Sequence, residues 1–474
     1  MTRGVAAGLA LVAALLGGAC VTVGPDYVRP PVETPAAFRG GAPDPAAPIA
    51  SFADQQWQAV FQDPALAALI GRALERGTDV RLAALRVVEA EARVGIARAD
   101  QYPSASVEVA GLGQRTAQAL GFPSPTVGGV QLQGAAAWQL DFWGRYRRAT
   151  EAARAELLAS QWGRRAVTAT VVADVAAGYF QLRMLDLSLD VSRRTLESRE
   201  ESLRLTQVRE QGGVTSLVDV RQAEQLVYDA RAEIVTLERQ IEQQENALSV
   251  LVGDNPGPIA RGQSLVEQTQ PPVVPPGLPS SLLERRPDVE AAEQQLVAAN
   301  AQIGIARSAY FPAIGLTGSG GVQSTALSAL FSGGSLIFSA AASLTQPVFT
   351  AGRTRSEVAV ATAQRDQAVL QYQETVRQAF RDVSDALVGY RKLREYREQQ
   401  ALLLASADDA RRLADVRYRG GAASYLEVLD ADTRRFSAEL GLADAQFQAL
   451  SGLVSVYRAL GGGWTPEPPP AVSP

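Results

Sequence analysis

From Val130 to Phe142 the chain alternates. Even positions read Val, Leu, Gly, Ala, Trp, Leu and Phe; odd positions read Gln, Gln, Ala, Ala, Gln and Asp. A period of two held over this length predicts a strand at 130–142 with one apolar and one polar face. Residues 104–113 alternate more loosely, with Val107 and Val109 opposite Ser106 and Glu108, and "LGFPSPTVGG" between the two segments reads as a hairpin loop. Before the hairpin, Asp63-Pro64 opens an Ala-, Leu-, Arg- and Glu-rich helical pattern that continues to about Ala99 and is ended by Tyr102-Pro103. After it, a helical pattern fills 144–211, roughly 100 Å at 1.5 Å per residue. Leu182, Leu189, Leu196 and Leu203 recur every seven residues there, and Val220, Val227, Ile234, Ile241 and Leu248 do so after Gly212-Gly213. Two heptad ladders across a tight glycine turn predict an antiparallel coiled-coil hairpin, its second helix reaching 252.

The whole order of elements then recurs. A Pro-rich linker at 253–280 contains "QPPVVPPGLPSS", and a second unit at 281–462 follows. In it a helical run (Leu282–Arg307) ends at Phe311-Pro312. Strand patterns lie at 313–322 and 336–348, a long helix at 352–419, a break at Gly420-Gly421, and a last helix to 460. "GIARADQYP" at 95–103 matches "GIARSAYFP" at 304–312 with an offset of 209. Gly212 matches Gly420, and Gly144-Arg145 matches Gly352-Arg353, with an offset of 208. Anchors that agree within one residue identify a tandem duplication whose unit is helix, strand hairpin, very long helix, glycine tip, helix.

Four strands of about ten to thirteen residues are long enough to cross a bilayer at a tilt. Four cannot close a barrel, and open edges are not tolerated in lipid. Strands from several copies would therefore share one barrel, and three copies would supply twelve. Val130, Leu132, Trp138, Leu140, Phe142, Leu336, Phe338 and Leu344 would meet lipid, and the Gln/Ser/Thr face would line a wet lumen. A soluble antiparallel sheet packed on helices has the same period and stays open at this point.

Composition narrows the chemistry. The chain of 474 residues has no histidine, one lysine (Lys392) and one cysteine (Cys20). This removes the usual general base, a Walker A lysine, an intrachain disulfide and a cysteine metal cluster. With 50 acidic against 45 basic residues there is no electrostatic reason to expect nucleic acid. No cofactor or metal site is expected, and composition leans away from an enzyme. At the start, Arg3 precedes "GVAAGLALVAALLGGAC", which has the layout of a secretory signal at 1–19 and is too short for a spanning helix. Cys20 directly after it reads as a lipoprotein cleavage site with an acylated cysteine; an ordinary signal ending at Ala19 is the alternative. Residues 20–63 are Pro/Gly-rich and read as extended, and 463–474 as a disordered tail.

Several segments carry a family resemblance. "AAAWQLDFWGRYRRATEAARAEL" (135–157), "LPSSLLERRPDVEAAEQQLVAANAQIGIARSAYFP" (278–312) and "LTQPVFTAGRTRSEVAVA" (344–361) resemble the signature segments of the TolC-like outer-membrane factors. "CVTVGPDYVRPPV" (20–32) resembles the mature start of their NodT-type lipoprotein branch. The resemblance implies an α+β membrane protein. Each subunit would give four transmembrane strands to a twelve-stranded barrel shared in a homotrimer, and a long periplasmic coiled-coil barrel would be built from the helices. It also implies a periplasmic adaptor and an inner-membrane pump as partners, with drugs or other small solutes as cargo. The tips "VREQGGVTSLVDV" and "VRYRGGAASYLEVLDA" resemble the turns that meet the adaptor, with Gly212, Gly213, Gly420 and Gly421 reversing the chain and Arg209 and Arg417 flanking it. By position, Glu427 and Asp430 would ring the periplasmic aperture, three apart and so on one helix face; solvated surface acids are the plain alternative. A type I secretion duct shares the architecture. A periplasmic adaptor would have one hairpin and soluble β-domains, and a carboxylate hydrolase would need a compact pocket that no segment here offers.

Overall fold

The alternating segments pair into one antiparallel sheet. In this computed structural model the described residues are 22–39, 51–115, 126–268, 274–275 and 279–464. The leader at 1–19, Cys20 and residues 465–474 lie outside them. Strands β1 (Ser104–Arg115), β2 (Thr126–Leu140), β3 (Ala313–Ser324) and β4 (Leu336–Thr345) follow one another in the order β1-β2-β3-β4. Register sets the two faces. One face carries the rows Leu140–Ile314–Leu344, Trp138–Leu316–Ala342, Val107–Gly134–Gly320–Phe338 and Val109–Leu132–Val322–Leu336. The other carries Ser106–Ala135–Ser319–Ser339 and Glu108–Gln133–Gly321–Ile337. Polar side chains on that second face bond to one another: Gln131 Nε2 donates to Gln133 Oε1 at 2.6 Å, and Ser319 and Ser339 share a bond of 2.9 Å. A one-residue slip anywhere would mix the rows, so the alternation fixes the register.

Two strands stop short of their alternating patterns, and the reasons are local. β2 ends at Leu140 because the Asp141 carboxylate turns to accept from the Arg147 backbone N–H at 2.9 Å. β4 ends at Thr345, two residues before Pro347, which has no N–H to give the ladder.

Helices α1 (Pro64–Arg76) and α2 (Thr78–Ala99) precede the first hairpin; α3 (Arg145–Gln211) and α4 (Leu217–Leu251) follow it. The second repeat has α5 (Pro279–Arg285), α6 (Pro287–Ser308), α7 (Arg353–Arg419) and α8 (Tyr425–Ala459). The duplication is retained in lengths: α3 and α7 both have 67 residues, α4 and α8 both have 35. Among the described residues no helix is long and apolar enough to cross a membrane.

The pattern over 64–99 is unbroken in sequence, yet the structure breaks it at Gly77. The Gly77 N–H closes α1 on the Ala73 carbonyl at 2.8 Å, and Gly253 of the turn after α4 crosses here so closely that a Cβ on it would lie 2.5 Å from the Arg76 carbonyl. The run over 282–307 breaks likewise before Pro287.

Contacts divide the chain into two compact units: Met1–Pro31, Val87–Ser160 and Ala292–Tyr372 in the first, the remainder in the second. In the first unit, residues 22–29 form a strap. Val23 N–H donates to the Trp143 carbonyl at 3.0 Å, and Asn300 to the Pro25 carbonyl at 2.9 Å. Buried Glu293 accepts from the Tyr27 hydroxyl at 2.9 Å and from Arg29 Nε at 2.7 Å. Gly24 (φ +108°) lies so close to Gly304 that a Cβ would come within 2.5 Å of its Cα. Thus the glycine of the second "GIAR" receives the strap, while that of the first, Gly95, faces open space.

In the second unit Asp63 is fully buried. Its carboxylate caps α1 through the Ala65 N–H at 2.8 Å, and accepts from Tyr179 Oη at 3.0 Å, Gln263 N–H at 2.9 Å and Gln268 Nε2 at 2.9 Å. Burial first of all pushes the Tyr179 hydroxyl up to about 12, so it stays a proton donor at any physiological pH. Phe52 and Phe61 pack edge-on to Tyr457 at 5.7 and 5.9 Å. That burial explains why the segment read as extended contains two single turns of helix, Phe52–Asp54 and Trp57–Val60. The reading of 463–474 as a disordered tail needs correcting at its first two residues. Gly463 packs on Ala169, and Trp464 stands edge-on to Trp162 at 5.6 Å with the Arg165 guanidinium over both rings.

Candidate functional site

Both tips fold as Schellman turns. At the first, Gly212 closes α3, the Gly213 N–H bonds the Glu210 carbonyl at 2.8 Å and the Val214 N–H bonds the Arg209 carbonyl at 2.9 Å. At the second, Gly421 bonds the Tyr418 carbonyl at 3.0 Å and Ala422 the Arg417 carbonyl at 2.9 Å. Only the second glycine of each pair is left-handed, with φ +70° at Gly213 and +74° at Gly421. Nothing lies within 4 Å of a Cβ placed on either, so backbone conformation, not crowding, selects glycine there. Gly212 and Gly420 have ordinary φ and end the helices.

The two tips then diverge. Ser216 caps α4 and forms a capping box with Asp219: each side chain accepts from the other's backbone N–H, at 3.3 and 3.1 Å. The Thr215 hydroxyl also donates to Asp219. That bond first, then the Ser216 N–H and hydroxyl, holds the Asp219 carboxyl below the usual carboxylate range. A depressed folded-state value adds stability above the unfolded carboxylate value and loses it as pH falls through the folded one. The protection of the 216–220 amides, relative to the intrinsic exchange rate at each pH, is therefore expected to hold at neutral pH and to fall only below about pH 4. Hydrogen–deuterium exchange across a pH series reads this directly, and protection unchanged by acid would contradict it.

At the second tip Ser424 caps α8 without a side-chain bond, and Glu427, the position matching Asp219, turns instead to Arg417 at 3.1 Å. Asp430 pairs with Arg434 one turn on, at 2.7 Å. The spacing correctly brings Glu427 and Asp430 to one helix face, but it does not reveal that each acid has an arginine of its own chain as partner. Both pairs are solvent-exposed and each contributes little to stability. Arg209 lies over the Tyr418 ring, 5.0 Å from its centre, and Tyr418 packs against Tyr425 at 5.2 Å. Tyr425, Val428, Leu429 and Ala223 form a buried cluster with Leu203, Leu226, Ala414 and Tyr418 against it. Sequence reading missed both tyrosines; their places, three before and four after Gly421, were the available signal. Val214, Leu217 and Val218 stand exposed at the first tip, and Val416 and Leu426 at the second.

A match to the family described as "outer membrane efflux protein" covers residues 69–254 and 278–462, one stretch for each repeat. The chain belongs to the outer membrane efflux protein family. Among relatives of this family, the probable efflux pump outer membrane protein TtgC of Pseudomonas putida is 37% identical over 465 residues, which cover 96% of this chain and 95% of that one. The probable outer membrane lipoprotein SilC of Salmonella typhimurium is 34% identical over 449 residues, 94% and 96% of the two chains. Among solved structures, the open-state MtrE outer membrane channel of Neisseria gonorrhoeae superposes with a TM-score of 0.84 at 32% identity, over 93% of this chain and 98% of that one. As an outer membrane efflux protein, the chain has the fold of an outer-membrane channel.

Proposed function

We propose that the chain is one of three identical subunits of an outer-membrane exit duct. The duct passes drugs or other small organic solutes handed on by an inner-membrane pump through a periplasmic adaptor. The observation that carries this is the sheet: β1 and β4 are edges without a partner strand among the described residues, and one face is apolar along four successive rows, from Leu140–Ile314–Leu344 to Val109–Leu132–Val322–Leu336. Val107, Phe338 and Leu344 on that face are 76%, 86% and 67% exposed. An apolar face with open edges is stable in lipid only when neighbouring copies close the ladder. The tips at Arg209, Gly212, Gly213, Arg417, Gly420 and Gly421, with the exposed apolar residues beside them, serve as the adaptor contact. Glu427 and Asp430 line the aperture. Cys20 carries the lipid, a reading supported by the docked strap that begins two residues later and by the lipoprotein name of SilC. Purified protein reconstituted into planar bilayers is expected to give discrete, cation-preferring conductance steps. A protein that inserts and conducts nothing under any applied voltage would sink the reading.

A further inference from the structure

One buried cation joins the two coiled-coil hairpins. Arg199 of α3 is 4% exposed. Its Nε donates to Asp432 of α8 at 3.0 Å, and its Nη1 donates to the Leu226 carbonyl of α4 at 2.9 Å, with Asp229 at 3.7 Å. Its guanidinium lies 5.0 Å from the centre of the Phe436 ring of α8. Asp432, itself mostly buried, also faces Arg411 of α7 at 3.7 Å, and Arg411 reaches back to Ser198 of α3 at 3.4 Å. A planar group with donors fixed in a fork can hold several helices at set angles, which neither a lysine nor an apolar side chain can do. Nη2 has no protein partner among the described residues. A void of about 20 Å³ beside it, lined also by Ser198, Ser202, Tyr425 and Asp432, has room and partners for one water.

The duplication does not repeat this arrangement. Ala407 and Glu224 stand where the offset of 208 would place a second Arg199 and a second Asp432, so the tie exists once per chain. A buried charge kept at one of two equivalent places serves that place.

We propose that Arg199 is a positioning residue for the aperture: by clamping Asp432 it fixes the first turns of α8, and with them Glu427 and Asp430, on the first hairpin. The inference rests on the reading of Glu427 and Asp430 as the aperture. The test is single-channel recording of Asp432→Asn in planar bilayers. The substitution keeps the shape and removes the charge-assisted bond to Arg199. The ratio of conducting to closed states is expected to rise about tenfold or more, with cation preference unchanged because both aperture acids remain. Asp229→Asn, at the exposed end of the network, is expected to leave the ratio within about twofold of the parent. Should Asp432→Asn fail to assemble, Arg199→Lys replaces it; lysine keeps the charge but cannot hold Asp432 and the Leu226 carbonyl together, and a smaller rise is expected. Assembled channels of either variant with an unchanged ratio would overturn the clamp. A Glu427→Ala/Asp430→Ala channel with unaltered cation preference would overturn the aperture reading instead, and the two failures are separately visible.

Discussion

Asp430→Ala is expected to raise the closed-state conductance several-fold and to lower the preference for cations over anions. Two effects act together. The shorter side chain widens the constriction, and in a ring of three copies three carboxylates disappear from one axis, where a low-dielectric wall magnifies each charge. The ion pairs sharpen the expectation. Asp430 is bonded to Arg434 and Glu427 to Arg417, so the unmodified ring carries less net negative charge than bare acids would. Removing an arginine must then act with opposite sign to removing an acid. Arg434→Ala should strengthen cation preference, and Asp430→Ala should weaken it. Reversal potentials in a salt gradient measure both, and equal values for all three proteins would return Asp430 to an ordinary solvated acid.

The largest effect on stability is expected at Asp63. Its carboxylate caps α1 and satisfies Tyr179, Gln263 and Gln268, all around a fully buried site. Asp63→Ala removes the cap and strands two donors, the buried Tyr179 hydroxyl and the half-buried Gln263 N–H. A cap contributes about 1 kcal/mol, and each stranded donor costs about 1–3 kcal/mol. The expected loss is therefore on the order of 3–7 kcal/mol. Gly262 leaves no room for a side chain beside this carboxylate, because a Cβ there would run into Asp63. Thermal or denaturant unfolding of the second unit, followed by proteolysis within 161–291, measures it. A shift within 1 kcal/mol would mean that the carboxylate is not the hub its contacts indicate.

Sequence and structure agree where a single period governs many residues. The alternation in β2 and β4 places Leu132, Trp138, Leu140, Leu336, Phe338 and Leu344 on one face because successive side chains of a strand point to opposite sides, with Ile337 a large apolar exception on the other, and two heptad ladders with a glycine pair between them specify a hairpin. Val220, Val227, Ile241 and Leu248 of the second ladder are buried as that spacing requires. What the pattern does not carry are contacts between distant segments. Gly77 looks like one more small residue in a helical run; only the crossing of Gly253 makes it a break. Glu427 looks like the fourth member of an S-x-x-E capping box, yet the Schellman turn brings Arg417 within 3.1 Å and the box at that tip does not close. Arg199 is the clearest case. In sequence it is one of many arginines on a long polar helix, and its burial depends on three other helices. The doubled "GIAR" was legible as a repeat, whereas its unequal use, Gly304 under the strap and Gly95 in the open, was not.

The central claim is that this chain is one third of a lipid-anchored duct, its sheet completed by neighbours. Native mass spectrometry of the protein extracted in mild detergent measures this most directly. The account predicts a complex of three chains, each shortened to begin at Cys20 and heavier than its peptide mass by covalently attached acyl groups. A single unmodified chain, stable without detergent, would contradict it.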